Sequence, residues 1–163
     1  MGEILKLDEI TEESLLSLEK MGMKLSTRNQ LNVEITDIQT GAVNSQIIAK
    51  LAGGEPLCAM ITVESEKSLN LQVGKEVLFL FKAPSVVIAK SGNDDLRISS
   101  ANQIKGTICE VKIGAVNAEV CLNTNSHQTI TSIITRESAT AMGLGVGDEV
   151  TAIVEPSEII IGA

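Results

Sequence analysis

Gly41-Ala42-Val43-Asn44 recurs unchanged as Gly114-Ala115-Val116-Asn117, and an offset of 73 positions carries one onto the other. The same offset places Ser26, Asn29 and Gln30 on Ser99, Asn102 and Gln103, and Ile61-Thr62 on Ile134-Thr135. It also places Glu64-Ser65 on Glu137-Ser138, and Gly74, Glu76 and Val77 on Gly147, Glu149 and Val150. No gap is needed from Leu25 to the C-terminus, so the chain is two tandem copies of one module. The organisation that follows is an arm over 1–24, a first module over 25–90, a linker over 91–97 and a second module over 98–163.

Each copy reads as short strands with turn punctuation. Leu31-Asn32-Val33-Glu34-Ile35 alternates with period two, and Gln46 to Leu51 is a mostly apolar run. The GAVN segment joins them as a loop, since Gly and Asn tolerate positive φ. Gly53-Gly54-Glu55 makes the next turn, and Pro56 to Ile61 the next strand. Thr62 begins a helical turn running to about Asn70. Val77 to Phe81 is a fourth strand, and Ser85 to Ala89 is expected to close the module. Five strands and one helical turn predict an all-β chain of two small closed barrels of the OB type. A module this short buries little surface alone, so tandem packing or oligomerisation is expected. In the arm, Thr11 reads as an N-cap, Glu12 and Glu13 as a first turn and Gly22 as a stop, predicting a short helix.

Composition narrows the function. The chain has 163 residues with two Phe and no Trp or Tyr, so its core is aliphatic and it lacks platforms for stacking nucleic-acid bases. A formal net charge of -8 argues against a phosphate backbone as partner. It also means that any anion site must be a local arrangement of donors. Three Cys, at 58, 109 and 121, lie in apolar runs and read as buried, reduced thiols of a cytoplasmic protein. No apolar run is long enough to cross a bilayer, and no signal-peptide core opens the chain.

An enzyme reading finds little support. His127, the one His, sits in the polar run Asn123 to Gln128 and reads as a hairpin tip. No paired carboxylates, phosphate loop or metal-ligand cluster is evident, so no cofactor and no metal cation is expected. Donors for an anion are present in Ser26-Thr27-Arg28-Asn29, Thr62-Val63-Glu64-Ser65 and Lys82-Ala83-Pro84-Ser85. Thr62 and Ser65 begin the helical turn, where backbone N–H groups favour an anion, although Thr62 also serves as a plain cap. Arg28 and Lys82 supply positive charge, and each by itself also reads as a solvated surface cation.

Five segments in order carry a resemblance: Ser26 to Gln30, Gly41 to Asn44, Ile61 to Ser65, Gly74 to Val77 and Lys82 to Val86. Together they resemble the Mop (TOBE) module of molybdate-binding proteins, twice over from Leu25 onward. The tandem arrangement is similar to di-Mop proteins and to the effector half of molybdate-responsive transcription regulators. The resemblance implies binding of molybdate or tungstate between modules of different subunits, with no protein ligand to the metal. By matched position, it implies Ser26, Arg28, Thr62, Ser65, Lys82 and Ala83 as the ligand-binding residues. It implies a homo-oligomer, dimer favoured over trimer, with no nucleic acid or membrane as partner of this chain. The function so implied is storage, buffering or sensing of the oxyanion, the alternative being an effector module without its own DNA-binding domain. Gly41, Ala42, Val43 and Asn44, with Gly114, Ala115, Val116 and Asn117, match loops tied to secondary anion sites, and read otherwise as simple turns. The second copy departs: Ala101 stands for the Arg, Glu155 for the Lys, and Pro156 offers no N–H. No equivalent site is expected there.

Overall fold

The computed structural model describes residues 29–90 and 98–163. The expected arm helix, Ser26, Arg28 and the linker lie outside the described residues. The first copy contributes β1 (Asn29–Thr40), β2 (Asn44–Lys50), β3 (Pro56–Thr62), helix α1 (Val63–Ser68), β4 (Glu76–Phe81) and β5 (Val87–Ala89). The second contributes β6 (Asn102–Ile113), β7 (Asn117–Thr124), β8 (Thr129–Thr135), α2 (Arg136–Met142), β9 (Glu149–Val154) and β10 (Ile160–Gly162). A 3-10 turn, Ala83–Ser85 or Pro156–Glu158, precedes the last strand of each. No helix among the described residues is long and apolar enough to cross a membrane.

The period-two alternation sets the long strands. Leu31, Val33 and Ile35 are buried while Asn32, Glu34 and Thr36 are exposed. The alternation slips between Ile35 and Asp37, and again between Ile108 and Glu110, where a bulge bends each long strand. One strand can thus pair with β4 along its first half and β2 along its second. Each sheet curls into a five-stranded OB-type barrel whose end strands carry no ladder between them, so the closure is partial.

The fifth strand corrects the sequence reading. The sheets run β10-β4-β1-β2-β3 and β5-β9-β6-β7-β8, so each is completed by the last strand of the other copy. Ile161 pairs with Phe79, and Ile88 with Ala152. Ser85 to Ala89 therefore closes the second barrel rather than its own. The 3-10 turn sends the chain off the end of β4 and against β8, where Val86 and Ile88 are buried. Ile159 and Ile161 are buried in the reciprocal place. Buried residues of both copies form a single core cluster. Two modules too small to bury much surface separately thereby share one interior.

Two buried amides fasten the copies. Asn29 Nδ2 donates to Thr131 O at 2.8 Å, and its Oδ1 accepts from Thr131 N at 2.7 Å. Asn102 does the same to Cys58, at 2.8 and 2.7 Å. Asn29 and Asn102 are repeat equivalents, as are Cys58 and Thr131, so the clamps are related by a pseudo-two-fold axis. Gln128 clasps the backbone of Asn32 similarly, at 3.0 and 3.3 Å.

The C-terminal ends of the two short helices are neutralised by different residues. Lys75 Nζ donates to Leu69 O at 2.9 Å beyond α1. Its repeat equivalent is Asp148, which cannot do so. Lys90, just past the exchanged β5, instead reaches Met142 O and Gly143 O at 3.3 and 3.4 Å and pairs with Asp148 at 3.1 Å. The Gly145 N–H donated to the Asp148 carboxylate, and then Lys90, hold that carboxyl below its usual range. A carboxyl depressed in the fold contributes stability that is complete above its unfolded value and lost as pH falls through its folded value. Acid titration of unfolding should therefore show a small loss below the ordinary carboxylate range that Asp148→Asn removes.

The cysteines divide. All three are free thiols, but only Cys58 is buried; Cys121 is half-buried and Cys109 exposed. The expectation of three buried thiols fails at Cys109, which follows buried Ile108 in the period-two alternation of β6 and so faces outward, and is met only in part at Cys121. His127 is exposed at the β7–β8 hairpin tip with φ of 61°.

Candidate oxyanion site

Thr62 ends β3 and caps α1. Its Oγ1 accepts from Ser65 N at 3.0 Å and donates to Ser65 Oγ at 2.9 Å, leaving the Ser65 hydroxyl proton to be donated elsewhere. The Val63 N–H is held by Val43 O at 2.9 Å, so the GAVN loop is fastened to the helix start. Two of the first three N–H groups are thus satisfied internally. The anion-binding capacity of this helix start is therefore smaller than its sequence suggests, and Glu64 and Glu66 in its first turn reduce it further. What remains to offer is a preorganised hydroxyl pair.

The second copy repeats this geometry to within 0.1 Å: Thr135 Oγ1 accepts from Ser138 N at 3.1 Å and donates to Ser138 Oγ at 2.8 Å. Caps and hydroxyls therefore do not distinguish the copies. The cations do. Where the first copy has Lys82 and Ala83, the second has Glu155 and Pro156, each at the N-terminus of its 3-10 turn. Arg136 stands where the first copy has Val63, within the segment that matches Ile61 to Ser65, so the second copy carries a cation at its helix start that the first lacks.

The structure brings Thr62 and Ser65 together but seats Lys82 and Ala83 elsewhere. Their turn packs against β8 of the second copy, with Ala83 fully buried and Lys82 exposed. The Glu155 turn packs reciprocally against β3, the strand that ends in Thr62. The two turns meet near the pseudo-two-fold axis, where Ser85 Oγ donates to Glu158 Oε2 at 3.4 Å. Within one chain, then, the turn that follows Lys82 packs on the second copy and the turn that follows Glu155 on the first. Motif spacing could not show this, because it follows from the strand exchange.

The GAVN loops are tight. Gly41 N donates to Asn44 O at 2.9 Å and Gly114 N to Asn117 O at 2.8 Å. A Cβ on Gly41 would lie 2.8 Å from Asn44 O, closer than real contacts allow, which explains the glycine. Val43 and Val116 point outward at 72% and 75% exposure. Beside the first loop lies an open depression of about 420 Å³ lined in part by Thr40, Asn44 and Ser45. Thr40 Oγ1 donates to Glu66 Oε1 at 2.9 Å, and Ser45 Oγ donates to the same oxygen. A carboxylate thus already uses the hydroxyls that an anion would need. The second copy has Ile113, Ala118 and Ala139 at these positions and lacks the network.

The described residues thus form tandem, strand-exchanged small barrels with paired hydroxyl caps and a lysine turn in one copy only. Residues 25–88 and 98–161 each match the TOBE domain model, and the chain belongs to the TOBE-domain family as a tandem Mop-type protein. It is 37% identical over 150 residues to the molybdenum-pterin-binding protein MopA of Rhodobacter capsulatus, covering 92% of this chain and 56% of the relative. It is 31% identical over 160 residues to the molybdenum transport protein ModE of Azotobacter vinelandii, covering 96% of this chain and 58% of that protein. The chain thus spans a little over half the length of these relatives. Among solved structures it is similar to the cytoplasmic molybdate-binding protein ModG with molybdate bound, with a TM-score of 0.82 and 38% identity over 86% of this chain and 99% of that one.

Proposed function

We propose that this chain binds molybdate or tungstate as the intact dianion at a junction between subunits, holding it for storage, buffering or sensing in the cytoplasm. The observation that carries this reading is the division of the donors. The Thr62–Ser65 hydroxyl pair and the Lys82–Ala83 turn are held on different copies' surfaces, so a second chain can bring a lysine turn to a hydroxyl pair. Ser26 and Arg28 complete the proposed set. A dianion leaving water needs compensating positive charge and several donors, which neither half supplies alone. Similarity to ModG, with molybdate bound, supports the ligand class. Tungstate is nearly isosteric and fits the same donors. A homodimer is favoured and a trimer is the alternative.

A second reading is the effector part of a molybdate-responsive regulator, supported by the match of 96% of this chain to part of ModE. The chain's charge of -8 disfavours DNA contact by these residues themselves. Calorimetric titration with molybdate tests the ligand. Saturable binding is expected, and no saturable heat with either molybdate or tungstate would contradict the proposal.

A further inference from the structure

Strand β6 carries one residue more than β7 at its bend. Ile108 faces Leu122 and Glu110 faces Cys121, which leaves Cys109 as the extra residue. In such a bulge the two residues on the long side share one partner, so Cys109 and Glu110 both oppose Cys121. Cys121 lies between the buried Val120 and Leu122 and faces outward; Cys109 follows the buried Ile108 and faces outward too. The two thiols therefore share the outer face of one hairpin.

Cys109 Sγ lies 3.4 Å from the backbone oxygen of Cys121, so its side chain is directed across the strand gap at its partner residue. The repeat equivalents show the same direction with a hydroxyl: Thr36 Oγ1 donates to Ile48 O at 3.2 Å. The Cα partner of Cys121 is Glu110, and Cys109 is the bulge residue beside it on the same strand. Disulfides span about 4.4–6.8 Å between Cα atoms, and the 3.4 Å approach of the Cys109 sulfur to the Cys121 backbone brings the two residues within reach of a bond made by side-chain rotation. Cys121 Sγ now rests 3.5 Å from Thr131 Oγ1, a weak contact that the rotation gives up. Cys58, by contrast, is 7% exposed, and burial pushes its thiol up, keeping it protonated and unreactive.

We propose that Cys109 and Cys121 are a redox modification site, a dithiol that closes to a disulfide when the protein meets a peroxide. The Cys109 sulfur attacks one oxygen of hydrogen peroxide, the O–O bond breaks, and the departing hydroxide takes a thiol proton and leaves as water. The Cys121 sulfur then attacks the resulting sulfenic sulfur, the S–O bond breaks, and a second water leaves with the Cys121 proton. Two thiols and one peroxide become one disulfide and two waters. The bond ties β6 to β7 on both sides of the Gly114–Asn117 loop. The first copy, with Thr36 and Ile48, has no counterpart, so oxidation marks the second copy alone.

The test treats the full native chain with hydrogen peroxide, removes the oxidant, then denatures and alkylates it for intact-mass and peptide mapping. Alkylatable thiols are expected to fall from three to one, with a Cys109–Cys121 cross-linked peptide and full recovery on dithiothreitol. In the Cys58→Ser chain the count should fall from two to none. In the Cys121→Ser chain Cys109 should be trapped by dimedone as sulfenic acid. Three results would overturn the proposal: disulfides between chains only, a link to Cys58, or Cys109 oxidised to sulfinic acid while Cys121 stays alkylatable.

Discussion

Replacing Lys82 with alanine is expected to weaken molybdate binding roughly a hundred-fold, and Glu155→Ala is expected to leave it unchanged. A hydrogen bond to a charged group contributes up to about 3 kcal/mol, and each 1.4 kcal/mol is about one decade in affinity. The backbone beside Lys82 is fixed independently of its side chain, because Ala83 is fully buried and its turn is seated against β8. Lys82 itself is exposed, so its removal should change folding stability by no more than about 0.5 kcal/mol. Loss of affinity would therefore report the missing charge. The equivalent position in the second copy carries the opposite sign. Unit charges about 4 Å apart interact with about 4 kcal/mol at an effective dielectric of 20, so a dianion beside Glu155 would meet roughly twice that repulsion. In the proposed arrangement no anion sits there, and removing the carboxylate changes nothing in a calorimetric titration.

Asn102→Ala should destabilise the fold by about 2–4 kcal/mol, among the largest effects of any single polar substitution in this chain. Asn102 is fully buried and satisfies both the N–H and the carbonyl of Cys58 on an outer strand of the other barrel. Alanine leaves that donor and that acceptor without partners inside the protein, and each such buried group costs about 1–3 kcal/mol. Asn29→Ala should behave alike, because Asn29 makes the same pair of bonds to Thr131. The shared core and exchanged strands join the two barrels, so either substitution should lower the midpoint of one common denaturant transition. Two separate transitions, only one of them shifted, would show that the barrels unfold independently.

Much of the fold is legible in the sequence because its signals are local. The repeat fixes the module boundaries, alternation in Leu31 to Ile35 marks a strand with one buried face, and Thr62 is read as a cap from its place before a polar helical turn. The exchanged strands are not legible. Val87–Ala89 and Ile160–Gly162 are short apolar runs that would fill the fifth position of either barrel equally well. An apolar pattern identifies a strand without naming its partner, and the choice is made by where the 3-10 turn sends the chain. Cys109 is misplaced by reading the run and not its alternation. An apolar neighbourhood does not say which face a residue takes: Cys109 follows buried Ile108 by one position, and the period of two puts it outside. At the candidate site, the sign difference between Lys82 and Glu155 is plain in the aligned copies. That their turns pack on the opposite copy's strand is not, and the Glu66 network with Thr40 and Ser45 depends on side chains meeting across three elements.

The most direct test of the central claim, that the first copy's cations hold the oxyanion, is a molybdate titration of the Arg28→Ala, Lys82→Ala chain beside the unaltered one by calorimetry. The predicted result is saturable binding by the unaltered chain and none by the double variant at the same concentrations. Full binding by the double variant would contradict it.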